Sequence, residues 1–183
     1  SMESDLPGIY QAQNIRTVLT AISVLKQQGW NLDDTTVTDA LKTVKQKTGL
    51  GGRWELIQQK PTIVLEVAHN ENGIQQMLAH LRQLTFDHLH LVIGVVKDKD
   101  TDKVLSLLPT GATYYFTQAA IPRALLAVEL KRQAEHLHLS GDVYDNVNLA
   151  LDAAKAAASE NDLILVCGSI FLVAEVDKSQ YVI

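Results

Sequence analysis

The sequence predicts an α/β fold: a mostly parallel sheet with one antiparallel strand and helices on both faces, preceded by a helical pair. Three observations carry this. Short apolar runs at residues 62–65, 89–96 and 163–167 alternate with segments whose apolar residues recur at helical spacing. Strands that are apolar on both faces belong to parallel sheets covered by helices. The glycines Gly49, Gly51 and Gly52 interrupt the chain between two helical stretches and the first strand, which divides it into residues 1–48 and 49–183. Finally, the stretch 62–73, TIVLEVAHNENG, runs a buried strand into a carboxylate (Glu66), an imidazole (His69) and a helix start. Ligands of open α/β sheets collect beyond the carboxyl ends of the strands, and the unpaired N–H groups of a helix start attract anions. This stretch is therefore the centre of the candidate site.

Taken in order, Ile15, Val18, Leu19, Ile22 and Leu25 follow the turn Leu6-Pro7-Gly8 with the spacing of one helical face, and Gly29 closes the segment. A second helix is expected from Thr36, with Asp39 as a capping-box-like partner and Val37, Leu41 and Val44 turned inward. Residues 54–57 and 62–67 read as strands joined by a turn containing Pro61, a hairpin that supplies the antiparallel strand. Asn70 is the expected N-cap of a helix marked by Ile74, Met77, Leu78, Leu81 and Leu84. A buried strand at 89–96, a short helix at 101–108 and an inner strand at 113–116 come next. Pro122 is expected to open a helix with Ala124, Leu125 and Val128 on one face. A short strand near Val143, an alanine-rich helix at 147–158 and a buried strand at 163–167 complete the alternation, and Gly168-Ser169 turns the last strand into a final helix.

Composition narrows the function classes. Across 183 residues, 46% hydrophobic and 20% charged describe an ordinary globular protein long enough for one sizeable core. A net charge of -5 with scattered Lys and Arg leaves no electrostatic footprint for nucleic acid. No apolar run approaches the ~20 residues of a membrane span, and the N-terminus lacks the basic and apolar regions of a signal peptide. A cytoplasmic monomer without a membrane partner is expected. The single cysteine, Cys167, lies in an apolar run and is expected to be a small core residue. Phosphate-loop, dinucleotide-loop and nucleophile-elbow signatures are absent, and the histidines lack zinc-ligand spacing. Any chemistry is expected to depend on groups supplied from elsewhere.

Six motifs stand in one order: Tyr10-Gln11-x-x-Asn14, Gly52-Arg53-Trp54-Glu55, Glu66-x-Ala68-His69-Asn70, Gly94-x-x-Lys97-Asp98-Lys99-Asp100, Pro122-Arg123-Ala124 and Gly168-Ser169. Together they resemble the C-terminal part of folylpolyglutamate synthase/dihydrofolate synthase, a member of the Mur-ligase family, from Leu6 to about Val176. The resemblance implies a Rossmann-like Mur ligase C-terminal domain preceded by the helical end of a central ATPase domain. It also implies an ATP-dependent, Mg2+-using ligase that adds L-glutamate to dihydropteroate or folates through an acyl phosphate. The family's phosphate loop, magnesium ligands and catalytic lysine region belong to the central domain. No catalytic residue and no metal ligand is therefore expected here, and the chain should be inactive alone.

Residue by residue, the resemblance makes Asn14 the adenine-contacting asparagine and Arg53 the arginine that reaches the ATP phosphates. Glu66 stands where the family has an aspartate by the nucleotide ribose, a departure that lengthens the side chain by one methylene; read from the residues alone, it is an exposed strand-end carboxylate. His69 takes the place of a histidine near the phosphates and the incoming glutamate. Ser169 matches a serine near the glutamate site, with a helix cap as its plainer reading. Lys97, Asp98, Lys99 and Asp100 border the ligand cleft in the family or are a solvated charge run. Arg123 is expected to cap or orient its loop, and Tyr10 stands where the family has a histidine. The GRWE and AHN pairings favour folate; another Mur-type ligase and a non-catalytic ligand-binding module are the alternatives.

Overall fold

The N-terminal helices form where the sequence puts an apolar stripe, with two shifts of detail. Helix α1 (Gln11–Gln27) half-buries Ile15, Leu19, Ile22 and Leu25, whereas Val18 is 43% exposed, so its inward face is narrower than the spacing predicts. Helix α2 (Asp34–Lys42) starts before Thr36. Asp33 is its N-cap, with Oδ1 accepting from the Thr36 N–H at 2.7 Å, so Thr36 is already helical and the expected capping partner Asp39 is not needed. Aspartate is a stronger N-cap acceptor than threonine, which explains the earlier start. Val44 opens a separate short helix, α3 (Val44–Thr48), whose first N–H groups reach Asp5 Oδ2, at 2.9 Å from Lys45 N, and which ends on left-handed Gly49.

In this computed structural model, residues 3–97 and 101–181 are described. They divide into two compact units, Ser1–Trp54 and Glu55–Ile183. The second unit holds the sheet. Strands β1 (Glu55–Gln59) and β2 (Thr62–Leu65) form the predicted antiparallel hairpin around a cis Lys60–Pro61 bond. Trp54 precedes the strand with φ +52 instead of beginning it. The chain continues through α4 (Glu71–Leu81), β3 (Leu89–Ile93), α5 (Thr101–Ser106), β4 (Thr113–Phe116), α6 (Ala127–Glu135), β5 (Gly141–Val143), α7 (Val147–Ala157), β6 (Leu163–Cys167) and α8 (Ile170–Ala174).

The sheet order is β1-β2-β6-β3-β4-β5, and every pairing except β1–β2 is parallel. This is the expected fold class. Strands β3 and β6 are buried at all five positions, as central parallel strands covered on both faces must be. On one face Val92, Tyr115, Ile164 and Val166 pack with Val147, Ala150, Leu151 and Ala154, the i, i+3, i+4, i+7 stripe of α7.

The sequence misplaces one element. Pro122 does not open a helix: Ala124 makes a bridge with Val96, the Leu125 N–H donates to Val95 O at 2.9 Å, and α6 begins at Ala127. Ala124 and Leu125 are buried by this strapping, while Val128 is 67% exposed. Backbone pairing with the extension of β3 outweighs the helix-start signal of a proline.

The amino ends of the strands bury a polar network. His90 lies with Nδ1 2.9 Å from the Tyr115 hydroxyl and Nε2 3.4 Å from Asp162 Oδ2, and that carboxylate oxygen also accepts the Ser159 N–H at 2.7 Å. Burial holds the His90 imidazole below its ordinary pKa, outweighing the opposing pull of Asp162, and burial also lowers His80. Both groups take up a proton more readily in the unfolded chain. Their contribution to stability is thus whole above the ordinary histidine pKa of about 6.5 and is lost as pH falls below it toward the depressed folded values. Thermal denaturation between pH 7.5 and 5 should show a falling Tm, with a shallower slope in His90→Gln. A flat profile would contradict this account.

Candidate functional site

The carboxyl ends of the central strands continue as a ladder beyond the strands themselves. The Glu66 N–H donates to Val166 O at 2.9 Å, Gly168 N–H to Ala68 O at 2.9 Å, and Thr117 N–H to Ile93 O at 2.9 Å. These bonds lay the segment after β2 beside the segment after β6. The arrangement requires Gly168, which has φ +103 and whose added Cβ would lie 2.6 Å from Gly94 O.

His69 and Ser169 therefore follow directly on a pair of backbone-bonded residues, Ala68 and Gly168. Each precedes or begins a capped helix. Asn70 is the predicted N-cap of α4, with Oδ1 accepting from Gly73 N–H at 2.8 Å. Ser169 caps α8 through Oγ, which accepts from Phe171 N–H at 3.2 Å, so its cap role is realised. His69 is half-buried, and its Nδ1 lies 2.9 Å from Val67 O. A carbonyl only accepts, so Nδ1 carries the proton of the neutral ring and Nε2 keeps the lone pair. Pinned this way, Nε2 can accept from an ammonium or water and, once protonated, can donate to a phosphate.

Glu66 differs from the plain reading of the sequence. It is 2% exposed, so it is not an exposed strand-end carboxylate. Burial and the Glu66 charge together push the pKa of the fully buried Cys167 thiol upward, which leaves this cysteine an inert core residue as expected.

The Pro122-Arg123-Ala124 and Gly168-Ser169 motifs meet through a contact that the sequence does not reveal. The Arg123 guanidinium stands 4.8 Å from the centroid of the Phe171 ring, and Arg123 O accepts from Lys97 N–H at 2.9 Å. The Arg123 side chain thus lies against α8, and its backbone carbonyl ties its loop to Lys97. Lys97 is exposed after the Val96 bridge; Asp98, Lys99 and Asp100 lie outside the described residues.

Asn14 and Arg53 belong to the N-terminal unit. Asn14 is exposed, and its Nδ2 donates to Oε1 of the buried Gln11 at 3.0 Å, which fixes its amide on the first turns of α1. Arg53 is half-buried between two left-handed residues, Gly52 (φ +68) and Trp54 (φ +52). Of the candidate site residues, then, Glu66, His69 and Ser169 lie on the paired backbone segments after β2 and β6, and Asn14 and Arg53 belong to the other unit. Among the described residues, no group of three His, Cys, Asp or Glu side chains is placed to hold a metal ion.

Comparison with known proteins agrees with this architecture. A Haloferax volcanii protein, a probable bifunctional folylpolyglutamate synthase/dihydropteroate synthase, is 33% identical over 173 residues, which are 93% of this chain and 20% of that protein. The Escherichia coli dihydrofolate synthase/folylpolyglutamate synthase is 31% identical over 159 residues, 86% of this chain and 36% of that protein. A crystal structure of a bifunctional folylpolyglutamate synthase/dihydrofolate synthase with Mn, AMPPNP and L-glutamate bound matches with a TM-score of 0.71 at 26% identity, over 88% of this chain and 38% of that one. The chain spans well under half the length of these relatives. Residues 52–170 match the model of the Mur ligase, glutamate ligase domain, and with the sheet and its carboxyl edge in place the chain belongs to that family, resembling the C-terminal domain of folylpolyglutamate/dihydrofolate synthases.

Proposed function

We propose that this chain is the C-terminal part of an ATP-dependent ligase that adds L-glutamate to dihydropteroate or folates, acting with an ATPase domain of the longer protein. The observation that supports the reading is His69, held through Nδ1 at Val67 O on the segment after β2 whose Ala68 O accepts from Gly168 N–H, next to Ser169 in the chain. Residues 1–48 would be the helical end of the ATPase domain and 49–183 the glutamate-ligase domain. A cytoplasmic monomer is proposed with it; no described helix is long and apolar enough to cross a membrane.

In the proposed reaction, a substrate carboxylate oxygen bonds to the γ-phosphorus of ATP and ADP leaves; the glutamate α-amino nitrogen then bonds to the acyl carbon and inorganic phosphate leaves. ATP supplies the activated phosphoryl group. Asn14 would donate to and accept from adenine, and Arg53 would neutralise phosphate charge through its planar fork of donors. His69 Nε2 would orient the incoming amine or the departing phosphate, and Ser169 would keep the start of α8 aligned at the glutamate site. The buried Glu66 would meet the ribose through its carboxylate only at the inner wall of the crevice. The Mg2+ ligands are assigned, on the family resemblance, mainly to the ATPase domain.

This division of labour predicts that the purified 183-residue chain turns over no ATP with glutamate and a pteroate substrate. Release of inorganic phosphate above the no-enzyme control, dependent on both substrates, would overturn it.

A further inference from the structure

A cavity of about 460 Å3 lies at the other end of the sheet, between the end of α4, the loop into β3 and the residues after α5. Its walls are apolar: Leu78 and Leu81 from α4, Phe86 from the loop, Leu107 just after α5 and Ala112 just before β4. Leu81 and Ala112 form a buried floor, while Leu78, Phe86 and Leu107 are only half-buried and line the opening. Its size falls in the range of small-molecule sites.

Three polar residues edge this cavity, and they are not equivalent. The Asp87 carboxylate accepts from Asn161 Nδ2 at 3.2 Å, and the Asp87 N–H donates to Asn161 O at 3.2 Å. The His88 Nε2 is 2.8 Å from Thr113 Oγ1. Arg82 is exposed at the C-cap of α4, and no carboxylate pairs with its guanidinium among the described residues. An apolar slot thus has one uncommitted cationic fork at its mouth.

The geometry points to a second ligand site here, for a small molecule with an apolar, ring-sized body and a single carboxylate. The body fills the slot between Leu78, Phe86 and Leu107, and the carboxylate takes the two parallel donors of Arg82. Strand β3 separates this site from the crevice, since Leu89 borders the cavity and Gly94 lies at the carboxyl edge, roughly 16 Å away along the strand. A molecule bound here leaves the crevice of His69 open. The inference does not depend on the ligase reading.

The test titrates 4-phenylbutyrate into the isotope-labelled chain and follows backbone amide shifts, with 4-phenylbutanol as the uncharged control. The acid should bind saturably with Kd on the order of 1 mM and move the amides of Leu78, Arg82, Phe86 and Leu107. The alcohol should bind about tenfold more weakly, and Arg82→Ala, at an exposed position, should bring the acid down to the alcohol's affinity. Filling the slot with Leu78→Trp should abolish both. Absence of saturable shifts, equal binding of acid and alcohol to the unaltered chain, shifts centred on His69 and Gly168, or an Arg82→Ala chain that keeps the acid's affinity would each overturn the proposal.

Discussion

His69→Ala in the full-length enzyme should lower kcat by about 10²-fold while leaving the fold intact. The loss follows from geometry. The Nδ1–Val67 O contact at 2.9 Å fixes the ring and leaves Nε2 as the nitrogen available to a ligand, and alanine removes it. Because His69 is half-buried and makes one hydrogen bond, its removal should cost stability only on the order of 1 kcal/mol. The loss should fall mainly on kcat, because a group that orients the reacting amine or phosphate acts most strongly in the transition state. Steady-state kinetics beside a melting curve separate the two effects. A kcat within twofold of the unaltered enzyme would place the chemistry elsewhere.

The second large effect concerns Gly168, and it acts on stability. Gly168→Ala places a Cβ 2.6 Å from Gly94 O and 3.1 Å from Ile93 Cγ1, at a φ of +103 that side chains rarely adopt. The obstacle is backbone of the neighbouring central strand, so no side-chain rotation relieves it. Strain and overpacking together should cost about 3 kcal/mol or more, a fall in Tm of roughly 10 °C. Gly111→Ala is the matched control: nothing lies within 4 Å of its added Cβ, and the change should be close to neutral. Equal melting temperatures for the two variants would refute the close approach at Gly168. Since the Gly168 N–H also holds Ala68 O, the same substitution should displace His69 relative to Ser169.

Much of this architecture is legible in the amino-acid order, and the reasons differ by element. The strand at Leu163–Cys167 coincides with an apolar run because all five of its positions are buried in the centre of the sheet. The hairpin before α4 is legible because Pro61 and the flanking runs fix a short turn. The placement of β6 between β2 and β3 is not, since pairing of strands nearly 100 residues apart is set by how the crossover helices pack and leaves no local mark. Thr36 misled because Asp33 offers a better cap, and Pro122 because backbone bonds to Val95 and Val96 strap its segment down.

The site divides similarly. The helix start after His69 was legible from a strand end followed by the cap residue Asn70. The burial of Glu66 was not, because a carboxylate after an apolar run looks the same whether the next layer covers it or leaves it open. Arg123 over Phe171 joins residues 48 positions apart, a contact visible only once β6 lies beside β3.

The measurement that bears most directly on the whole account is ATP-dependent ligation of L-glutamate to dihydropteroate and to a reduced folate by the full-length protein. Stoichiometric formation of ADP, phosphate and a glutamylated product on either acceptor is the predicted result. A folded enzyme that glutamylates neither would contradict the folate ligase reading.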